Sequence, residues 1–453
     1  MTPLSLGQIA AITGGQMLGA DVTVSGVCTD SRKLKTGDLF VALRGEHFDG
    51  NGFVAQAAQQ GAVAAIVNEH NDSLPCVMVE DSYQALGLVA RENRRRYSGP
   101  LLAITGSSGK TSTKEILASI LKQCGKVYFT QGNFNNEVGV PLSLLDINSE
   151  HQYAVIEMGA AKKDDIRYLC DFAEPNVAIL TNAQAAHLQG FKSLQGVAET
   201  KGEIFQSLSH DGVAVINADD GYCSLWQKMA AEAKQLLFGL EATNADVWAK
   251  DIDLSAPESS RFTLVSPQGE VAIELPLPGK HMIANALAAS AAALAVGASL
   301  AQVAAGLLAV KSTSGRLNRQ SVNGVTIIDD SYNANPGSVK AAIDVLAAYP
   351  QRRVLVLGTM AELGDGACQS HVDVAAYAKR QGLDAVFFSG DWAEKMADAF
   401  GASAKSFSDR DALTIALEQF IESGDTVLIK GSRSAGMDHV VAALAQTLTG
   451  EAR

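Results

Sequence analysis

Residues 105–111 read Thr105-Gly106-Ser107-Ser108-Gly109-Lys110-Thr111, between the apolar run Pro100-Leu-Leu-Ala-Ile104 and a helical pattern over residues 112–122. A strand, a glycine turn and a helix start therefore meet at one point. That junction suits a nucleotide triphosphate: backbone N–H groups and the positive helix end face the phosphates, Lys110 reaches the outer ones, and the Thr111 hydroxyl binds Mg²⁺. Gly106, Ser107, Ser108, Gly109, Lys110, Thr111 and Ser112 form the predicted ATP cradle. Counting back from Lys110, the first glycine of a standard Walker A loop would fall on Ile104. The loop is a shorter form, Gly106-x-x-Gly109-Lys110-Thr111.

The surrounding chain has 453 residues, enough for about three domains at roughly 150 residues each. Its 47% hydrophobic and 19% charged content is that of a globular protein with material for several cores. A net charge of −13 argues against general nucleic-acid binding, which needs an extended basic face, but leaves room for an anionic small substrate held by a few focused cations. The start, Met1-Thr-Pro-Leu-Ser-Leu-Gly-Gln8, lacks the basic and apolar regions of a signal peptide, and the alanine-rich stretch 283–296 is too short to span a bilayer. The expectation is a cytoplasmic protein without membrane insertion. Cys28, Cys76, Cys124, Cys170, Cys223 and Cys368 form no C-x-x-C pair and read as reduced thiols.

Working outward from the loop, strands alternate with helices, the pattern of a mostly parallel sheet. The fold class is α/β with three domains. Residues 1–83 are expected to form a small α/β domain, with strands at 39–43, 62–67 and 76–79 and a first helix capped by Ser5. Residues 84–313 form the central P-loop domain, with strands at 101–105, 127–130, 153–157, 177–181, 213–217 and 235–238, a hairpin at 262–275, and two alanine-rich helices. Residues 314–453 read as a Rossmann-like domain with strands at 325–329, 354–357, 385–389 and 426–429, without a Gly-x-Gly-x-x-Gly fingerprint. The run Arg91-Glu-Asn-Arg-Arg-Arg96 sits at a helix end, where cations complement the dipole.

Other chemistry clusters after neighbouring strands. Glu157 ends the strand 153–157, so its carboxylate should emerge at the P-loop edge as an oxygen ligand for Mg²⁺. Asn182 and His187 follow the next strand, and His187 in such a loop is a candidate functional group. The segment Asn133-Phe-Asn-Asn-Glu-Val-Gly-Val-Pro141 places Asn133, Asn135 and Asn136 in one loop, an array of amides suited to orienting a polar substrate or simply a turn rich in asparagine. Read alone, Lys201 is an ordinary exposed helix lysine.

These pieces, in this order, resemble the Mur ligase family, ATP-dependent amide-forming enzymes of peptidoglycan precursor synthesis. The shortened P-loop matches the family's form. Gly279-Lys-His-Met-Ile-Ala-Asn285 resembles its adenine-binding segment, which implies Asn285 as the base contact with His281 nearby. Arg316 resembles the junction arginine that reaches the nucleotide phosphates, and Asp330 the aspartate that binds the ribose. Lys201 occupies the position of the family's carbamylated lysine. The resemblance thus implies two Mg²⁺ ions, one on Thr111 and Glu157, the other on His187 and the carbamate of Lys201.

Asp30-Ser31-Arg32 with Gly45–Gly50 resembles the family's nucleotide-sugar domain, which implies Ser31 and Arg32 as substrate contacts. Segments 133–141, 330–336 and Lys430-Gly-Ser-Arg-Ser434 look most like the member that adds a D-alanyl-D-alanine dipeptide. The implied substrates are UDP-N-acetylmuramoyl-tripeptide and D-alanyl-D-alanine, with Tyr332, Asn333, Asn335, Lys430, Ser432 and Arg433 orienting the peptides. A monomer is expected. The Asp-Asn-Pro-Arg motif of the diaminopimelate-adding sibling is absent, because Asn335-Pro336 is followed by Gly337. Two rivals are a folylpolyglutamate synthase-like ligase, which normally lacks a unit like residues 1–83, and a P-loop GTPase-type switch, which would carry an Asn-Lys-x-Asp motif.

Overall fold

The computed structural model describes residues 1–45, 48–185 and 188–450. Three main sheets follow one another along the chain. The first has five strands in the order Gln16–Leu18, Cys76–Met78, Ala62–Val67, Asp38–Val41, Gly26–Cys28, all parallel except Gln16–Leu18. A helix at Leu6–Thr13 leans on it, and Ser5 caps that helix in a reciprocal pair with Gln8, as the sequence predicts.

The second sheet has nine strands and positions the P-loop. Leu101–Thr105 lies inside it, third from one edge, between Tyr153–Glu157 and Val177–Leu180 and parallel to both, so the chain leaves that strand at a point where the strand order reverses. Ligands of open α/β sheets settle in such a crevice, outside the carboxyl ends of the strands. Leu102 and Ile104 pack into one core while Leu101 and Ala103 pack into another on the opposite face. Burial on both faces is why this strand reads as an uninterrupted apolar run. The helix Lys110–Leu121 follows the turn and lies against Lys280–Ala295. Ile116, Ile120, Ala286, Ala289 and Ala293 share one buried cluster, the alanines letting the two helices approach closely.

The far side of this sheet is antiparallel: Val247–Asp253 pairs with Ser260–Ser266, which pairs with Gly269–Leu275. The last two are the hairpin expected from alternation. Val247–Asp253 escaped the sequence reading because the adjacent charges Lys250 and Asp251, with Asp253 beyond them, break its period-two pattern and look like a loop.

The third sheet runs Asn318–Val322, Val325–Asp330, Thr426–Lys430, Arg353–Leu357, Ala385–Ser389, Ala404–Phe407, parallel except for the first strand. Its two edge strands were also unread. Asn318-Arg-Gln-Ser-Val322 is mostly polar, and Ala404-Lys-Ser-Phe407 is too short to show a period.

All six cysteines are free. Within 91–96, Arg94 is buried and its guanidinium donates to the carbonyls of Ala173, Glu174 and Tyr97, while Arg95 and Arg96 pair with Glu174 and Glu92. Among the described residues no helix is long and apolar enough to cross a membrane.

Candidate active site

The P-loop turn is closed from behind by its neighbours. Gly106 has φ +151°, and a Cβ there would sit 1.9 Å from the Thr181 hydroxyl oxygen. Gly109 has φ +82°, and a Cβ there would stand 2.4 Å from Asn285 Oδ1. Backbone conformation and space both demand glycine at these positions. Thr181 Oγ1 donates to the Ser108 carbonyl (2.6 Å), and the Ser108 N–H donates to Asn182 Oδ1 (3.0 Å). Lys110 Nζ folds over its own loop and donates to the Gly106 carbonyl at 2.8 Å. Burial lowers the Lys110 pKa from the ordinary lysine value, with Glu157 opposing and Arg316 adding to the shift.

Glu157 is held through both of its carboxylate oxygens. The Thr111 hydroxyl donates to its Oε2 at 2.8 Å and Asn135 Nδ2 donates to its Oε1 at 2.8 Å. The Glu157 N–H donates to Thr130 Oγ1 at 3.0 Å, and the Thr130 carbonyl accepts from Lys114 Nζ at 2.7 Å. Lys114 is 1% exposed and lies one turn beyond Lys110 on the same helix. Sequence reasoning passed over Lys114, although its i+4 spacing from Lys110 pointed to the same helix face.

Around this centre opens a cleft of about 710 Å³ lined by both the second and the third sheet's loops. From the central domain, Ser107, Ser112, Asn136, His281 and Asn285 line it. Asn285 is 7% exposed, and burial together with the Lys430 charge lowers the His281 pKa to about 4. From the third domain come Arg316, Asp330, Tyr332, Asn333, Asn335 and Lys430.

Asp330 and Lys430 are register partners on adjacent strands and form a buried ion pair; Lys430 Nζ also donates to the Asn333 carbonyl at 2.9 Å. Burial raises the Asp330 pKa against the pull of Lys430. Asn335 accepts the Ser338 N–H as a helix cap (2.8 Å) and donates to Ser108 Oγ across the domain boundary (2.9 Å). Gln184, unread in the sequence, accepts from the same Ser108 hydroxyl (2.9 Å), and its N–H donates to Ser107 Oγ (2.9 Å). Its signal was its place in Thr181-Asn-Ala-Gln184, two residues past Asn182.

Other predicted residues lie apart from the cleft lining. Asn133 is exposed, with its carbonyl accepting from the Asn135 N–H at 2.7 Å. Arg32 is exposed and bidentate on Asp30, whose pKa it holds down at about 2; Ser31 is its neighbour in the first domain. Ser432 is buried and donates to the Thr359 carbonyl at 2.7 Å, and Arg433 pairs with Asp438 at the surface. His187 lies outside the described residues.

Lys201 differs from the exposed helix lysine that its local sequence suggests. It is 1% exposed, its Nζ stands 5.6 Å from the Phe191 ring centroid, and among the described residues it has no hydrogen bond or ion pair. Burial, helped by the Lys110 charge, pushes its pKa well below the ordinary lysine value.

The donor set at Thr111 and Glu157 fits Mg²⁺. A hydroxyl and a carboxylate stand side by side, and this ion takes one or two such oxygens while leaving its other positions to water and phosphate. Among the described residues no three His, Cys, Asp or Glu side chains form a metal cage, so the arrangement depends on phosphate oxygens to complete it.

Comparison with known proteins finds the same organisation. The Mur ligase middle domain profile matches residues 104–293, the glutamate ligase domain profile of the Mur ligases residues 315–433, and the catalytic domain profile of the family residues 23–92. The chain is 44% identical to the UDP-N-acetylmuramoyl-tripeptide–D-alanyl-D-alanine ligase of Escherichia coli, covering 99% of this chain and 100% of that one. It belongs to the Mur ligase family.

Among solved structures, MurF from Acinetobacter baumannii superposes with a TM-score of 0.94 at 35% identity, covering 98% of this chain and 99% of that one. MurF from Thermotoga maritima, solved in complex with ADP, gives a TM-score of 0.85 at 30% identity, covering 95% and 99%. In this Mur ligase the three-domain α/β fold is thus that of the family, and the chain is an ATP-dependent ligase.

Proposed function

We propose that this chain joins D-alanyl-D-alanine to the peptide carboxylate of UDP-N-acetylmuramoyl-tripeptide, in cytoplasmic peptidoglycan precursor synthesis. Its full-length relation to ligases of that name carries the reading, with the P-loop intact and Glu157 set against Thr111. Residues 1–83 bind the UDP sugar, 84–313 bind ATP, and 314–453 bind the dipeptide and close on ATP.

A carboxylate and an amine do not condense at neutral pH because the carboxylate oxygen is a poor leaving group. Transfer of the γ-phosphoryl to that oxygen releases ADP and gives an acyl phosphate. The dipeptide amine then forms the amide, releasing phosphate and a proton. Both steps gather negative charge around the transferred group, so stabilisation comes from positioned donors and cations. Gly106–Thr111 amides and Lys110 hold the phosphates; Thr111 and Glu157 would hold Mg²⁺, which supplies charge neutralisation when bound.

Lys110 must leave the Gly106 carbonyl to reach a phosphate, exchanging one acceptor for a more negative one. Arg316 contacts the phosphates, Asp330 the ribose, and Asn285 and His281 the adenine. Buried Lys201 would be carbamylated: its neutral amine attacks CO₂, forming an N–C bond and losing one proton. With His187, the resulting carboxylate would hold a second Mg²⁺. Closure of the third domain on the P-loop keeps water from the acyl phosphate.

A phosphate-release assay with a panel of UDP-muramoyl peptides and acceptors tests this. Release is expected only when a UDP-muramoyl tripeptide and D-alanyl-D-alanine are both present. Lys110→Ala should abolish it while circular dichroism shows an unchanged fold. Release with a folate and glutamate instead would move the enzyme to the folylpolyglutamate branch.

A further inference from the structure

The junction that carries Arg316 is held to the third domain by the end of one strand. The Gly315 N–H donates to Asp329 Oδ2 (3.0 Å), and the Leu317 N–H donates to Asp330 Oδ1 (3.2 Å). The Tyr332 N–H donates back to the Gly315 carbonyl (3.1 Å). Asp329 is 7% exposed and also accepts from the Ser331 N–H (3.1 Å) and hydroxyl. Residues 315–317 and 329–332 therefore move as one piece.

On that piece the Arg316 guanidinium carbon lies 4.3 Å from the centroid of the Tyr332 ring, well inside the range of a cation–π contact. Among the described residues the Arg316 side chain has no hydrogen bond or ion pair, and the Tyr332 hydroxyl has no hydrogen-bond partner. Both residues line the cleft with Lys110. An arginine with its face covered and its N–H groups uncommitted, in the same cleft as another cation whose charge it feels, is arranged for an anion. Stacking also matters for entropy, since a side chain already fixed against a ring has less rotamer freedom to lose when it binds an anion.

We propose that Tyr332 is a positioning residue for Arg316, its ring fixing the guanidinium plane so that the N–H edge meets a nucleotide phosphate. The proposal rests on the reading of Arg316 as a phosphate contact. It assigns the function to the ring and none to the hydroxyl, so phenylalanine should substitute and an aliphatic side chain should not.

The test uses the full-length chain with Tyr332→Phe, Tyr332→Leu, Arg316→Ala and the double variant. ATP affinity is read by titration calorimetry, and KM for ATP by phosphate release. Tyr332→Leu should weaken ATP roughly twofold to thirtyfold, the span of a cation–π contact, and Tyr332→Phe should restore it. Adding Tyr332→Leu to Arg316→Ala should cost nothing further. If leucine lowers the unfolding temperature, Tyr332→Met repeats the comparison in a side chain of greater reach. A phenylalanine variant as weak as the leucine variant, or losses that multiply in the double variant, would overturn the proposal. If the wild-type chain binds ATP but releases no phosphate with the muramoyl substrates, the functional reading fails. The calorimetric comparison of phenylalanine with leucine still decides the platform.

Discussion

Lys201 shows how far a residue's surroundings can stand from its local sequence. In Ala198-Glu-Thr-Lys-Gly-Glu203 nothing marks it, yet the fold buries it to 1% exposure and leaves its ammonium without a hydrogen-bond partner among the described residues. An ammonium so placed loses hydration that the Phe191 ring and the Asp165 charge do not make up, so the equilibrium shifts toward the neutral, nucleophilic amine. Density at Lys201 Nζ in a high-resolution crystal structure grown with bicarbonate, nucleotide and Mg²⁺ should therefore show a planar carbamate. A bare ammonium with two Mg²⁺ present would count against it. Lys110, Thr111 and Glu157 were legible from their order after strands, because strand ends and glycine turns leave a local signature. The burial of Lys201 was not, because helix Leu194–Gln206 acquires its covered face only through tertiary packing.

Among the elements, the helix Ala367–Arg380 fastens the loop that leaves strand Arg353–Leu357. His371 Nδ1–H donates to the Ala367 carbonyl (2.7 Å), and its Nε2 accepts the Met360 N–H (2.9 Å). Burial lowers its pKa below the usual histidine value of about 6.5, with the bond to Ala367 and the charge of Asp391 opposing. The unfolded chain then binds a proton that the folded chain refuses, so stability is full above about pH 6.5 and falls on acidification until the folded pKa is reached. Urea midpoints should drop between pH 7 and pH 5, and the drop should shrink in His371→Gln, whose amide oxygen can still accept the Met360 N–H. An equal drop in that variant would remove His371 as the cause. The strands of this sheet's interior were readable as apolar runs because both faces are covered. Its polar edge strand Asn318–Val322 was not, since an edge needs no apolar pattern.

At the scale of the molecule, and among the described residues, one hydrogen bond crosses from the third domain to the P-loop: Asn335 Nδ2 to Ser108 Oγ, which in turn donates to Gln184. No sequence pattern announces it, because its two ends lie 227 positions apart and depend on how the domains dock. The same asparagine caps helix Pro336–Ala347, so replacement by alanine would mix two effects, the cap alone being worth about 1 kcal/mol. Serine separates them. It caps a helix as well as asparagine does, but its hydroxyl is too short to reach Ser108. Asn335→Ser should therefore keep the unfolding temperature within about 2 °C of the wild type, while loosening the docked state. Small-angle scattering should show a larger radius of gyration without nucleotide, and KM for ATP should rise several-fold, consistent with one neutral hydrogen bond of about 1 kcal/mol. With saturating ATP the radius should return to the wild-type value, because ligand contacts from both domains favour the closed state by mass action. A variant with unchanged scattering and unchanged KM would show that this bond plays no part in holding the third domain over the P-loop.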